Sequence, residues 1–367
     1  MRFKNNITII FFILVLTLSM LSCSHQSSSE ANLDEQIGQM LLFGFKGLNV
    51  DDNWVQTFTQ QITDLNIGGV LVLSYNVKSP TQLDSLMNHF KQIKSNLPIL
   101  YAIDQEGGKV QRLSPQKGFQ GFPSAQYTAE NLCLEEAYNS YYELANECKD
   151  YGFNLILAPV VDLNINPQSP AIGNLERSYS NNPMIVSSYA TAFINAIKDN
   201  GLISCLKHFP GHGSASNDSH LDITDVTQTW SEIELDPYIT LINQNLAQAI
   251  MSAHIFNTNI DENYPSSLSD SFINNLLRNE LQYDGVVITD DLQMGAIQNY
   301  YELEDTIIKS INAGSDILIF SQYFEPNIEL PTIVHNIIKN AVQSKTISKE
   351  RIEQSYYRIK QLKNQIW

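Results

Sequence analysis

From about residue 40 onward, the chain alternates eight short apolar runs with longer amphipathic stretches. Each run is rich in β-branched or large apolar residues and is followed by a polar or glycine-containing turn. Such continuously apolar runs are expected for parallel strands covered on both faces by helices. The runs are residues 40–45, 69–73, 99–103, 154–160, 202–206, 249–253, 286–289 and 316–320.

A closed barrel of parallel strands typically has eight of them. We therefore predict the α/β class and a TIM-type (β/α)8 barrel, in which some strands can be irregular, followed by C-terminal helices over 325–367. An open doubly wound sheet is the alternative, although no Gly-x-Gly-x-x-Gly turn follows the first run. The predicted crossover helices are 80–95, 129–150, 184–200, 231–246, 269–281 and 303–313.

The N-terminal segment has the layout of an export signal. Basic residues precede an apolar run at 7–20 that is too short for a comfortable membrane span, and Ser22-Cys23 resembles the bacterial lipobox. We predict a lipoprotein signal peptide at 1–22, lipidation of Cys23, a polar tether at 23–31 and one barrel domain at 32–367. The protein would then be exported and lipid-anchored to a bacterial membrane, on its periplasmic side or at the cell surface. An ordinary cleaved signal or an uncleaved anchor helix is the alternative.

The charge balance opposes several classes of partner. With 22 Lys+Arg against 39 Asp+Glu, the net charge is −17, so we expect no nucleic-acid partner and membrane contact only through the lipid. Cys133, Cys148 and Cys205 are an odd number without a Cys-x-x-Cys spacing, which predicts neither a disulfide framework nor a thiolate zinc site. Pairing of Cys133 with Cys148 stays open.

Polar residues cluster just after the predicted strands. They are Asp104 after the third run, Asp162 and Asn164 after the fourth, Lys207 and His208 after the fifth, His254 after the sixth, and Asp290 and Asp291 after the seventh. Because all these strand ends emerge on one face of a barrel, we expect an acidic, histidine-bearing basin there.

The densest polar segment is 207–220. His208 and His212 have the spacing of a helical metal pair, but Pro210 and the neighbouring glycines oppose a helix, so we predict neither a metal nor a cofactor. Asp218 and His220, two positions apart, can place a carboxylate against an imidazole and raise its basicity.

A second carboxylate with a fixed position is available at the end of the seventh run. We assign Asp290 to chemistry and Asp291 to capping the next helix. With His220, Asp290 suggests glycoside hydrolysis by double displacement, in which a histidine replaces the usual second carboxylate.

Segment 207–220 resembles the signature of the β-N-acetylglucosaminidase branch of glycoside hydrolase family 3. It matches every fixed position: lysine, histidine, an apolar residue, Pro-Gly-x-Gly, four free positions, then Asp-Ser-His. Six further blocks follow the family order, namely 68–73, 104–113, 158–164, 177–179, 234–238 and 288–294.

The resemblance implies roles for individual residues. Asp290 would be the nucleophile that forms a covalent glycosyl-aspartate, and His220, on a mobile loop, would be the acid/base with Asp218 as its partner. The terminal sugar would be held by Asp104, Arg177, Lys207 and His208, with Asp104 and Lys207 at the 4- and 6-hydroxyls. His254 would be a pocket wall, or else a satisfied core histidine. The approach to Arg177 is longer than the family pattern.

The implied activity is that of an exo-acting, retaining β-N-acetylhexosaminidase. It would act as a monomer on terminal N-acetylglucosamine in peptidoglycan fragments, chitooligosaccharides or glycans. The residues after the eighth run are too few for a second domain, so the acid would come from the barrel. Phosphorolysis or β-glucosidase activity at the same site remains open. A non-catalytic sugar-binding lipoprotein is opposed by the presence of both Asp290 and His220.

Overall fold

The computed structural model describes residues 31–366. The predicted signal peptide, Cys23 and all of the tether except residue 31 lie outside the described residues. The chain divides into Met1–Asn32 and a compact unit, Leu33–Trp367, and the fold is that of the compact unit. Among the described residues, no helix combines the length and the apolar character needed to cross a membrane.

Within residues 31–366, eight parallel strands close a barrel, which confirms the predicted fold class. Each strand pairs with the next along the chain, and β1 pairs with β8 to complete the circle. The strands are β1 Leu41–Gly44, β2 Gly69–Val72, β3 Leu100–Ile103, β4 Leu155–Ile156, β5 Ile203–Phe209, β6 Ala249–Ser252, β7 Val286–Asp291 and β8 Ile317–Phe320.

Helices surround the barrel. They are α1 Leu33–Gln39, α2 Asn53–Asp64, α3 Pro80–Phe90, α4 Ala125–Asn131, α5 Leu134–Asp150, α6 Pro183–Asp199, α7 Asp236–Asn243, a π-helix Ser271–Glu280, α8 Gly295–Gln298, α9 Leu303–Ala313, α10 Leu330–Gln343 and α11 Lys349–Lys363. Helices α1 and α2 and the π-helical geometry were not predicted from the sequence.

The strands begin and end within one residue of the predicted bounds except for three of them. The fourth run contains only the two-residue β4, although Val160 still bridges to Lys207 of β5. Strands β5 and β7 continue beyond their apolar runs, because pairing persists through Phe209 and Asp291. Lys207, His208 and Asp290 therefore lie within strands rather than after them, on backbone fixed by the barrel.

The core is apolar both inside the barrel and beneath the helices. Phe43 and Phe320 stack at 5.1 Å where β1 meets β8, and Tyr141 of α5 packs edge-on against Phe193 of α6 at 4.8 Å. Burying one such large side chain contributes about 1.5–3 kcal/mol. Cys148 is buried within α5 while Cys133 is exposed, and both are free, so they do not pair.

A buried carboxylate fastens the C-terminal helix to the barrel. Asp316, which directly precedes β8, is fully buried and accepts hydrogen bonds from Arg278 at 2.7 Å and Arg351 at 3.1 Å. Ser355 of α11 donates to the same carboxylate at 2.8 Å, and Arg358 lies 3.5 Å away. The three guanidinium groups outweigh the effect of burial and lower the pKa of Asp316.

We predict that Asp316→Asn lowers the free energy of unfolding by about 3–5 kcal/mol, because it leaves buried guanidinium groups without a counter-charge. Urea unfolding measures the change. Asp284→Asn is the matched control: Asp284 also pairs with Arg358, at 2.8 Å, but its side chain is 87% exposed, so its loss costs at most about 1 kcal/mol. Equal effects of the two substitutions would contradict this role for Asp316.

A buried lysine joins the two ends of the compact unit. Lys363 of α11 donates to the Gln39 side chain at 2.5 Å and to the Gly68 carbonyl at 2.8 Å. Burial lowers the pKa of its ammonium group to about 7. These contacts lie at the amino ends of β1 and β2, opposite the strand ends that carry the polar residues.

Candidate active site

A cavity of about 550 Å³ opens at the carboxyl ends of the barrel strands. It is lined by six of the residues that the sequence analysis assigned to the site: Asp104, Arg177, Lys207, His208, His220 and Asp290. The structure therefore brings together side chains from four barrel strands or their following loops, and Asp218 contacts the cavity indirectly through His220.

Asp290 lies near the end of β7, where the strand fixes its backbone. Its Oδ1 accepts the backbone N–H of Asp291 at 2.8 Å. Burial raises the pKa of this carboxyl, but the neighbouring imidazoles of His254, His208 and His220 outweigh that effect and lower it below its ordinary value. Asp290 is therefore an ionised, partly desolvated carboxylate at neutral pH, as a nucleophile requires.

His220 and Asp218 form a hydrogen-bonded pair on the loop that follows β5. The Nδ1 of His220 lies 2.7 Å from Oδ1 of Asp218, which also accepts the His220 backbone N–H at 3.0 Å. Burial opposes charging of the ring, but the Asp218 hydrogen bond and the charge of Asp290 raise the pKa of His220. The His220 bond in turn lowers the pKa of Asp218 to about 2. Nε2 of His220 is left to exchange a proton with a ligand.

We predict that Asp218→Asn lowers the pKa of His220, because the amide cannot supply the charge that favours imidazolium. An NMR titration of the His220 ring measures the shift. Asp222→Asn is the matched control on the same loop, since Asp222 bonds Tyr300 rather than the imidazole. A His220 titration that is unchanged by Asp218→Asn would contradict the assigned coupling.

The loop that carries His220 is docked on the first residues of α8, the short helix after β7. The backbone N–H groups of Gly295 and Ala296 donate to the carbonyls of His220 at 3.1 Å and Ser219 at 3.2 Å. A Cβ at Gly295 would lie 2.2 Å from the carbonyl oxygen of Leu221, so this contact requires glycine. The segment that follows the strand of Asp290 therefore also fixes the position of the loop that carries His220.

Charged side chains alternate along one wall of the cavity. Lys207 bonds Asp104 at 2.8 Å and Glu106 at 2.7 Å. Arg112 donates to Asp104 at 2.9 Å, and Arg177 makes a two-pronged contact with Glu106 at 2.7 and 2.8 Å. These pairings hold ionised groups in fixed positions, where they can form strong hydrogen bonds to ligand hydroxyls.

Glu106 has a role in the site that was not predicted from the sequence. Burial raises the pKa of its carboxyl, but Arg177 and Lys207 outweigh burial and lower it to about 2. Its position two residues after Asp104, within the block 104–113, was the available signal. Nothing local in the sequence showed that it would meet Arg177, which is 71 residues away.

Asp162 also has a role that the sequence analysis did not assign. Its side chain is fully buried. It accepts a hydrogen bond from Nδ1 of His208 at 2.7 Å and further hydrogen bonds from the backbone N–H groups of His208 and His212. Since Arg177 can only donate, its 3.3 Å contact requires Nε2 of His208 to accept. The proton of His208 therefore lies on Nδ1, and the ring orientation is fixed.

His208 and His212 are engaged in packing and hydrogen bonding. Their rings meet edge-on at 5.9 Å, and Nε2 of His212 contacts Ser219 Oγ at 3.2 Å. Burial lowers the pKa of His212 to about 4. Within residues 31–366, no group of three or more His, Cys, Asp or Glu side chains is arranged to hold a metal ion.

The structure decides between the two alternatives for His254 and corrects the role predicted for Asp291. His254 does not line the cavity: it is fully buried, with Nδ1 2.7 Å from Ser267 Oγ and Nε2 2.9 Å from the Asp291 carbonyl. Both ring nitrogens of His254 therefore have hydrogen-bond partners in the core, behind β7, the strand that carries Asp290. Asp291 does not cap α8, which begins four residues later; its Oδ1 accepts the backbone N–H groups of Gln293 and Ser321.

Known proteins share sequence with this chain. Residues 32–362 match the family described as the glycosyl hydrolase family 3 N-terminal domain. Beta-hexosaminidase A of Pseudoalteromonas piscicida is 29% identical over 385 residues, covering 95% of this chain and 64% of that protein. Beta-hexosaminidase of Nitrosomonas eutropha is 33% identical, covering 72% of this chain and 76% of that protein.

A solved structure shares the barrel. The glycoside hydrolase family 3 beta-N-acetylglucosaminidase from Paenibacillus sp. str. FPU-7 has a TM-score of 0.83 and 32% sequence identity, covering 91% of this chain and 62% of that chain. This chain thus spans less than two thirds of both the Pseudoalteromonas and the Paenibacillus proteins. Since the family match extends through nearly all of the described barrel, the chain belongs to glycosyl hydrolase family 3.

Proposed function

We propose that this glycosidase is an exo-acting β-N-acetylhexosaminidase that releases terminal N-acetylglucosamine with retention of configuration. The observation that carries the proposal is one cavity lined by both an ionised strand-end carboxylate, Asp290, and an imidazole, His220, with a raised pKa. The named activities of the relatives support the choice of sugar. Peptidoglycan fragments, chitooligosaccharides and glycans are the proposed substrates.

The first step forms a covalent intermediate. A carboxylate oxygen of Asp290 attacks the anomeric carbon while Nε2 of protonated His220 gives its proton to the glycosidic oxygen, and the bond between that carbon and oxygen breaks. The raised pKa of His220 keeps a useful fraction of the ring protonated near neutral pH. Asp218 stabilises the imidazolium before the transfer.

The second step releases the sugar. His220, now neutral, takes a proton from water as the water oxygen attacks the anomeric carbon, and the bond to Asp290 breaks. Both displacements invert the anomeric carbon, so the product keeps the configuration of the substrate. Asp104, Lys207 and Arg177 hold the hydroxyls of the terminal sugar through both steps.

The proposal is tested with purified protein and aryl β-glycosides. We expect turnover of the N-acetylglucosaminide, slower turnover of the glucoside, and initial formation of the β-anomer in ¹H NMR. Added phosphate should not change the product. An α-anomer would exclude the double displacement, a 1-phosphate product would establish phosphorolysis, and a preference for glucoside would exclude the hexosaminidase assignment.

The docked loop gives a prediction about Gly295. Gly295→Ala should displace the His220 carbonyl and lower kcat about 10²-fold for alkyl or sugar leaving groups, which need protonation. The loss should be much smaller for a 2,4-dinitrophenyl leaving group, which departs without an acid. Equal losses for both leaving groups would show that the substitution damages the barrel rather than the position of His220.

We also propose that the protein is exported and anchored by a lipid on Cys23. The support is the signal-like segment that ends in Ser22-Cys23. The test expresses the full chain and its Cys23→Ser variant in bacteria fed radioactive palmitate. Label in the parent chain alone is expected, whereas equal labelling, or none in either chain, would overturn the proposal.

A further inference from the structure

We propose that Glu234 is a positioning residue for His220: its carboxyl group holds the start of the loop on which His220 lies. This inference rests on the proposed function, because it gives Glu234 a part in the proton transfer by His220. Glu234 belongs to the sequence block 234–238, for which the family resemblance implied no role. Residues 211–214, at the start of the loop, are hereafter called the loop base.

Glu234 packs against the loop base and does not reach the cavity. It lies on the short 3-10 helix Glu232–Leu235, directly before α7, and is 1% exposed. Its Oε2 accepts the backbone N–H of Gly213 at 3.1 Å. Within residues 31–366, Glu234 is not among the side chains that line the cavity. Its effect on the reaction must therefore pass through the loop.

Gly211 makes this close approach possible. Its φ is +119°, in the region that favours glycine. A Cβ at this position would lie 2.7 Å from Cβ of Glu234 and 2.9 Å from its Oε2. The loop base therefore fits against the glutamate because residue 211 has no side chain.

His212 connects the loop base to the residue that precedes His220. Nε2 of His212 contacts Ser219 Oγ at 3.2 Å, and the backbone N–H of His212 donates to Asp162 at 2.8 Å. Since Ser219 is bonded directly to His220, a displacement of the loop base moves the acid/base relative to Asp290. A misplacement of about 1 Å can lower a rate about 10²-fold.

The carboxyl group of Glu234 acts as a hydrogen-bond acceptor rather than as a charge. Burial raises its pKa to about 7, although the Ser214 side chain and the Gly213 backbone N–H oppose this rise. The charge of Asp162 raises the pKa further. Both protonation states are therefore present near neutral pH, and each keeps an oxygen that can accept from Gly213. Glutamine has the same reach without the charge, so it should substitute for Glu234.

The experiment separates the position of the acceptor from its charge. Glu234→Asp keeps the carboxyl group but withdraws it from Gly213 by one methylene, whereas Glu234→Gln keeps the reach and removes the charge. Glu232→Asp is the matched control, since Glu232 lies on the same 3-10 helix and is exposed. For each variant, kcat/KM is measured for N-acetylglucosaminides with a sugar and with a 2,4-dinitrophenyl leaving group. Amide hydrogen exchange over 210–220 measures the loop directly.

Glu234→Asp should lower kcat/KM about tenfold for the sugar leaving group, which needs the acid, and less than about twofold for 2,4-dinitrophenyl. Exchange over 210–220 should become faster in this variant alone, while exchange in the barrel strands stays unchanged. Glu234→Gln and Glu232→Asp should remain within about twofold of the parent chain for both substrates.

Equal losses for the two leaving groups, or unchanged exchange over 210–220 in Glu234→Asp, would overturn the positioning role. Rates in Glu234→Gln as low as those in Glu234→Asp would overturn the role as an uncharged acceptor. No turnover of either substrate by the parent chain would instead overturn the proposed function. In that event the exchange measurement would still decide whether Glu234 holds the loop.

Discussion

Asp290→Asn should lower kcat for the N-acetylglucosaminide on the order of 10⁴-fold or more, because the amide cannot form the covalent intermediate. The rest of the site should persist, since the Oδ1 contact of Asp290 is with the backbone of its own neighbour. Steady-state kinetics with an aryl substrate measures the loss. Circular dichroism and urea unfolding serve as the control for folding.

Chemical rescue sharpens the test of the nucleophile. In Asp290→Ala, added azide should enter the vacated space, attack the anomeric carbon and restore part of the activity. A single displacement inverts the centre, so the product should be the α-glycosyl azide. A variant that retains activity within tenfold of the parent chain, or rescue that yields a β-azide, would contradict the assignment of Asp290.

His220→Ala should produce a loss that depends on the leaving group. For a sugar leaving group, kcat/KM should fall about 10²–10⁴-fold, because the departing oxygen receives no proton. For a 2,4-dinitrophenyl leaving group, the first step should be nearly normal and the covalent intermediate should accumulate, since water then lacks its general base. Burst kinetics and mass spectrometry of the quenched protein detect that accumulation.

The pH profile provides a second signature of His220. The protonated ring is the acid, so kcat/KM of the parent chain should fall as the pH rises through the raised pKa of His220. His220→Ala should lose this alkaline limb, whereas the Asp222→Asn control should keep it. An identical alkaline limb in His220→Ala would assign it to another group.

The barrel and much of the cavity followed from the sequence because both depend on local patterns. Apolar runs indicated buried parallel strands, and polar residues at their ends indicated a shared face. Asp104, Lys207, His208 and Asp290 line the cavity for this reason. Arg177 and His220 also line it, but Arg177 was assigned from the family resemblance and His220 from its pairing with Asp218 in segment 207–220.

The pairings were not predictable because they depend on packing between distant segments. Glu106 meets Arg177 and Asp162 meets His208 only after the strands assemble. His254 follows its strand as the cavity residues do, but its ring turns behind β7 toward Ser267 and the Asp291 carbonyl. Position at a strand end thus predicts a face of the barrel, but not the direction of the side chain.

The meeting of β1 with β8 has a consequence for how the protein is made. Leu41 pairs with Leu318, so the first barrel strand remains without one of its two neighbours until nearly the whole chain has been synthesised. Contacts this distant in sequence close slowly and leave strand edges open in the meantime. A ribosome-bound fragment that ends before residue 316 would lack β8, so β1 and β7 would each have an unpaired edge. Completion of the barrel is therefore a late event, and chaperones have an extended time in which to bind the growing chain.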